Sequence, residues 1–176
     1  GNMAKYLDQT GLTYFWGKIK SLVSSQVTAS VKAAKRGQAL RGYASNISVS
    51  GGYKTVYPAL TQAVDMDSDF VTYTGGKITV QKAGVYHIDM STLWETNATN
   101  KILWMGVSRN GASVLNAETS TSLLIPTATY SPSLAFSTNI ALEPGETLAP
   151  LLMSNIGGAT CKELRINVTF NGRAGG

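Results

Sequence analysis

The hydrophobic period of this chain changes once, and that change limits the folds open to it. Over residues 12–34, Leu12, Phe15, Trp16, Ile19, Leu22, Val23, Val27, Val31 and Ala34 keep the three- and four-residue spacing of a single α-helical stripe. From about residue 39 the period becomes two, and turn signals punctuate the alternation: Gly51-Gly52, Gly75-Gly76, Ala83-Gly84, Asn97 to Asn100, Asn110-Gly111, Pro144-Gly145, Gly157-Gly158 and Asn171-Gly172. Gly-Gly and Asn-Gly supply the positive φ angles that two-residue hairpins require. Strands are predicted near 70–74, 77–81, 85–94, 101–109, 112–117, 133–142, 147–154 and 162–170. So many short antiparallel strands, without an internal repeat, predict a sandwich or barrel rather than a propeller or solenoid.

The helix carries its own boundaries. Asp8 is the predicted N-cap, with Leu7 and Leu12 spaced as a hydrophobic staple, and Gly37 after Lys35 and Arg36 is the predicted left-handed C-cap. Gly17, the serines and the valines make it a weak helix in isolation. Leu12, Trp16, Ile19 and Val23 keep a heptad, and the steps to Val27 add a four-residue stutter. The reading is a coiled-coil stalk formed when chains associate, or an amphipathic helix that docks on a protein surface. Residues 1–38 are thus assigned to a stalk or docking segment and 39–176 to a head.

Composition excludes several classes. Hydrophobic residues make up 43% of the 176, enough for a real core, and 14% charge is too little for a disordered chain. Cys161 is the only cysteine, so neither an intrachain disulfide nor an all-cysteine metal cage can form. No apolar run is long enough to span a bilayer, and no secretory signal is expected, because Lys18 and Lys20 interrupt the early apolar region. Residues 1–41 carry seven basic side chains against Asp8 alone, while the remainder is close to neutral. Without interleaved aromatic residues of the RNA-binding kind, that reads as the solvated face of the helix and not as a nucleic-acid arm.

Several ordered motifs resemble a known family. Thr74-Gly75-Gly76-Lys77-Ile78-Thr79-Val80 with Ala83-Gly84-Val85-Tyr86-His87-Ile88 is similar to the T-G and G-x-Tyr run of the complement globular-head domain, one of the tumour-necrosis-factor-like jelly rolls. Val107-Ser108-Arg109-Asn110-Gly111, Leu142-Glu143-Pro144-Gly145-Glu146-Thr147-Leu148 and Val168-Thr169-Phe170-Asn171-Gly172 follow in the same order. Phe70-Val71 departs from the usual aromatic-Asp pair, the turn has one extra glycine, and no collagen-like tract precedes the head. The resemblance implies a ten-stranded jelly roll that associates about a three-fold axis. Lys5 to Leu12 with Phe15-Trp16-Gly17-Lys18-Ile19-Lys20 is similar to the opening of tail or baseplate proteins of phages and prophages of Gram-positive bacteria. It implies a virion part assembled in the bacterial cytoplasm, its helix bound to other virion proteins and its head to a host cell-surface glycan or protein. The alternatives are a trimeric protein of the bacterial cell or spore surface and, further off, a glycan depolymerase.

Catalytic chemistry is sparse. His87, the only histidine, lies mid-strand with no G-x-S-x-G elbow before it, and is read as an exposed or interface residue. Gly11 to Lys18 fails as a phosphate loop, with five residues between its glycines and Ile19 in place of the Ser or Thr. Asp65, Asp67 and Asp69 are the one calcium candidate. Phe70 stands where an EF-hand needs glycine, and an extended strand would hold the carboxylates ~6.5 Å apart. No other cofactor is expected. Glu95, Glu143, Glu146 and Glu163 form no assignable acid/base pair. Trp94, Trp104 and Met105 are read as core or subunit-interface packing in preference to a sugar platform.

Overall fold

Residues 8–96, 100–112, 120–125 and 131–173 are described by the structure, a computed structural model, without the side chains of 62–64. The chain divides into two units, Gly1–Lys35 and Arg36–Gly176.

The first unit is helix α1 (Gln9–Ala34). Asp8 caps it as predicted: its side-chain oxygen accepts the Gly11 amide at 2.6 Å, satisfying a donor that the first turn leaves open. Thr13, Ser25 and Thr28 turn their hydroxyls onto carbonyls three or four residues back, which accommodates these indifferent helix formers. The C-terminus differs from expectation. Lys35 already has extended dihedrals, and Gly37, at φ 127°, opens the first strand and does not cap the helix.

Among the described residues the second unit holds ten antiparallel strands: β1 (Gly37–Val49), β2 (Gln62–Met66), β3 (Val71–Thr74), β4 (Lys77–Val80), β5 (Gly84–Thr96), β6 (Lys101–Arg109), β7 (Ser120–Ile125), β8 (Ser133–Leu142), β9 (Thr147–Ser154) and β10 (Ala159–Gly172). They form two five-stranded sheets, ordered β2-β1-β10-β5-β8 and β3-β4-β9-β6-β7. This is the jelly-roll sandwich that the sequence resemblance implies. The strands predicted at 133–142 and 147–154 stand at those ranges. β1 and β2 were not among the predicted strands, and the strand predicted at 112–117 lies, apart from Ala112, outside the described residues.

The motifs that carry the resemblance are the joints of this fold. Gly75 and Gly76, both at positive φ, close the two-residue hairpin between Thr74 and Lys77. At Gly84 a Cβ would lie 2.3 Å from the Gly172 carbonyl oxygen and 2.5 Å from the Phe170 ring, so only glycine fits. Two residues on, the buried Tyr86 donates its hydroxyl to the carbonyls of Phe70 and Lys82, and its ring packs on Phe170, itself stacked on Phe70. Lys82 and Arg36 set cations over Phe170.

A second joint ties the β6 turn to the β8–β9 turn. Glu146 accepts hydrogen bonds from Arg109, Asn110 and the Glu143 amide at 2.8–3.0 Å. Asn110 returns the contact by accepting the Thr147 amide, and its own amide donates to the Thr147 carbonyl. Between the sheets, Leu40, Ile78, Ile88, Met90, Trp94, Leu103, Met105, Leu148, Leu152, Ile166 and Val168 form one buried core. Cys161 lies within it.

Candidate functional site

Alternation along each strand decides what the outer face of the first sheet displays. Cross-strand register assembles that face in rows: Gln38, Thr169, His87 and Asn139; then Arg41, Asn167, Asp89 and Ser137; then Tyr43, Arg165, Ser91 and Ala135. Ser91, Ala135 and Ser137 are short, whereas Tyr43 and Arg165 are tall. The difference in height leaves a concavity of about 820 Å³, lined also by Arg41, Asp89 and Asn167. The Arg165 guanidinium lies over the Tyr43 ring and pairs with Glu163 at 3.6 Å. The side-chain oxygen of Asn167 is the one buried side-chain nitrogen or oxygen without a hydrogen bond among the described residues. A donor from outside the chain would satisfy it.

His87 sits on this face as expected. Its Nδ1 meets the Asn139 amide oxygen at 2.7 Å and its Nε2 meets Asp89 at 3.1 Å. Two acceptors suit a doubly protonated ring. Asn139 above all, with help from the Asp89 carboxylate, raises the pKa of His87 against partial desolvation. Both ring nitrogens are thereby engaged by acceptors, and no Ser or Cys hydroxyl or thiol bonds to either among the described residues. The thiol of Cys161 is pushed up to about 12 by burial and donates to the Glu163 carbonyl. A thiol so poised is not a nucleophile.

The predicted calcium residues are not gathered into one ligand set. Asp65 is exposed on β2 opposite Arg41, and Asp67 turns its carboxylate onto the Asp69 amide at 3.0 Å within the loop before β3. Among the described residues no three of His, Cys, Asp and Glu lie together so as to hold a metal ion. The glutamates are separated too: Glu146 serves the turn joint, Glu95 pairs with Lys162 at 3.8 Å, and Glu163 pairs with Arg165.

Along α1 the predicted stripe is in place and uncovered. Exposure runs from 47% at Leu12 to 64% at Val31, with Phe15, Trp16, Leu22, Val23 and Val27 between, and Ile19 partly buried. None of the helix's residues is buried. That much exposed apolar surface on one helix is unusual for a chain that acts alone.

The tryptophans separate. Trp94 is fully buried, its indole donating to Thr92, and Met105 is likewise core. Trp104 instead points outward from the second sheet and meets Tyr53 with ring centroids 5.5 Å apart. Sequence reasoning also missed Tyr43, as well as Arg165 and Asn167, the last two signalled by the polar phase of Leu164-Arg165-Ile166-Asn167-Val168.

Comparison with solved structures bears on the head. The globular domain of the zebrafish complement 1qA protein superposes with a TM-score of 0.54 at 14% identity, covering 80% of this chain and 100% of that one. The head is a jelly roll of the complement-globular and tumour-necrosis-factor type. Eiger TNF from S. frugiperda aligns at a TM-score of 0.56 and 16% identity, over 80% of this chain and 97% of that one. Murine APRIL aligns at 0.53 and 14%, over 77% of this chain and 100% of that one. At these identities the likeness concerns the jelly roll alone. No protein-family model matches the sequence, and no curated protein matches it.

Proposed function

We propose that this chain is a non-enzymatic, trimeric binding protein: a jelly-roll head that recognises a cell-surface ligand, attached through α1 to a larger assembly. The observation that carries the proposal is the uncovered apolar stripe of α1 in a chain whose other unit is a jelly roll of this type. Chains that associate through the stripe bury it, and a three-fold head shares one symmetry operator with a three-fold stalk. The concave polar face, with its unpartnered Asn167 oxygen, offers the head a second surface of association. His87 is engaged by acceptors and Cys161 is inert, which favours binding over catalysis. The resemblance of residues 5–20 to tail and baseplate openings supports reading the assembly as part of a phage or prophage virion, with host glycan or protein as the ligand and three copies supplying avidity.

The test is the mass in solution by light scattering, for the full chain and for a chain starting at Arg36, which keeps the Arg36–Phe170 contact and all of β1. The full chain is expected near 56 kDa, about three times its 18.6 kDa. A trimer kept after truncation makes the head self-sufficient, and one lost on truncation makes α1 the driver. A monomer in both cases removes the avidity mechanism. Absence of the protein from virions, together with failure to bind cells, would refute the virion reading.

A further inference from the structure

The outer face of the second sheet has a different chemistry from the first, and its focus is Tyr53. This residue is 60% exposed. Its φ is 59°, a left-handed conformation that bulky side chains rarely adopt; among the described residues the other non-glycine positions with positive φ, Asn46, Asn100 and Asn110, are asparagines.

The surrounding backbone holds Tyr53 there. Gly51 passes so close to the 156–157 backbone that a Cβ would lie 2.2 Å from the Gly157 nitrogen. Gly52 takes φ 77° and donates its amide to Asn155, and the Tyr53 amide donates to Ser154 at 3.0 Å. The strained turn lays an exposed ring against Trp104. Strain kept at an exposed aromatic residue marks a site of function more often than one of stability.

Cross-strand register extends the surface. Trp104 stands between Met153 on β9 and Ser122 on β7, and Ile102 faces Leu124 in the next row. Tyr53, Trp104, Met153, Ser122, Ile102 and Leu124 include no charged side chain. Polar character at the rim comes from the Tyr53 and Ser122 hydroxyls. A surface of one exposed and one half-buried aromatic ring, with hydroxyl groups and no charge among these side chains, complements a ligand that is itself uncharged, hydroxyl-rich and flat on one side. The C–H face of a pyranose ring meets the negative face of an aromatic ring, and its hydroxyls meet the polar rim.

We infer that Tyr53 and Trp104 form a stacking platform for a neutral saccharide, on the sheet face opposite the concave polar one. The inference rests on the proposed cell-surface role and names its ligand class. Of the two packings expected for Trp104, core or subunit interface, the ring takes no part in the core.

The experiment uses the full-length chain in Trp16→Phe form, which leaves the half-buried Trp104 and the fully buried Trp94 as its indoles. Neutral hexose and N-acetylhexosamine oligosaccharides are titrated and indole emission is followed. At least one series should shift the emission with saturation, and Tyr53→Asn and Trp104→Phe should each weaken that binding about tenfold or more, measured for all variants by titration calorimetry, which needs no indole. Asparagine tolerates the left-handed backbone, so Tyr53→Asn should melt within about 3 °C of the parent. No response to any oligosaccharide, or a response unchanged by both substitutions, overturns the inference. So does a change of solution mass in Tyr53→Asn, which would make the patch a contact between copies. Cell binding by the parent distinguishes the two levels. If cells are bound equally well by Tyr53→Asn and by the parent, the platform fails while the binding role stands. If cells are not bound at all, the role itself fails.

Discussion

At the scale of single residues, Glu146 shows how a short motif earns its place in a fold. One carboxylate gathers Arg109, Asn110 and the Glu143 amide, so two turns distant in sequence are fixed to each other. The Glu143 amide foremost, then Asn110 and Arg109, hold its pKa down at about 2. Because the folded pKa lies below that of the unfolded chain, the contribution is complete above the ordinary carboxylate range. It is lost as pH falls from about 4.5 towards 2. Glu146→Gln is expected to cost about 1–2 kcal/mol at neutral pH and to flatten the acid limb of the stability curve, measured by urea unfolding between pH 2 and 6. Lys101 is the opposite case: fully buried, it donates to the Gly157 carbonyl, and desolvation lowers its pKa. Single residues were also where the sequence was hardest to read. Trp94 shares the buried phase of Tyr86, Ile88 and Met90 on β5, whereas Trp104 stands on the near-continuous apolar run of β6 and is half-buried against Tyr53.

At the scale of elements, the legible strands were those whose ends are set by turn chemistry. β9 follows Pro144-Gly145, and the β3–β4 hairpin is closed by Gly75-Gly76. β1 was obscured because Ala39 and Leu40 are both buried at a register shift between Gln38 and Leu40, which breaks the period of two. Helix α1 was legible from its stripe and its Asp8 cap, yet its end was not, since Gly37 serves the strand instead. A helix of this composition with no buried face is expected to depend on association. Trp16→Ser combined with Val23→Ser should therefore abolish any concentration dependence of the helical circular dichroism signal at 222 nm while leaving the head's melting unchanged. A concentration-dependent signal that survives both substitutions would show that the stripe is not the associating surface.

At the scale of the whole molecule, the fold was legible and the ligand was not, because jelly rolls share joints while their exposed faces vary. Tyr43, Arg165 and Asn167 become a surface only once β1, β10 and β5 are neighbours, which no single stretch of sequence announces. The aspartates belong to this scale as well, since a metal site needs ligands brought together from different segments. With Asp67 turned onto its own loop and no three ligand groups assembled among the described residues, added calcium should move the melting temperature by less than about 1 °C. A saturable rise, lost in Asp67→Asn, would restore the calcium site.

The direct passage from α1 into β1 has a mechanical consequence. Only Lys35 and Arg36 separate the two elements, and β1 is an interior strand, paired with β10 from Gly37 opposite Phe170 to Val49 opposite Ala159 and with β2 on its other side. Freeing β1 from its N-terminal end thus means breaking hydrogen bonds on both of its sides, where an edge strand would have to break them on one side alone.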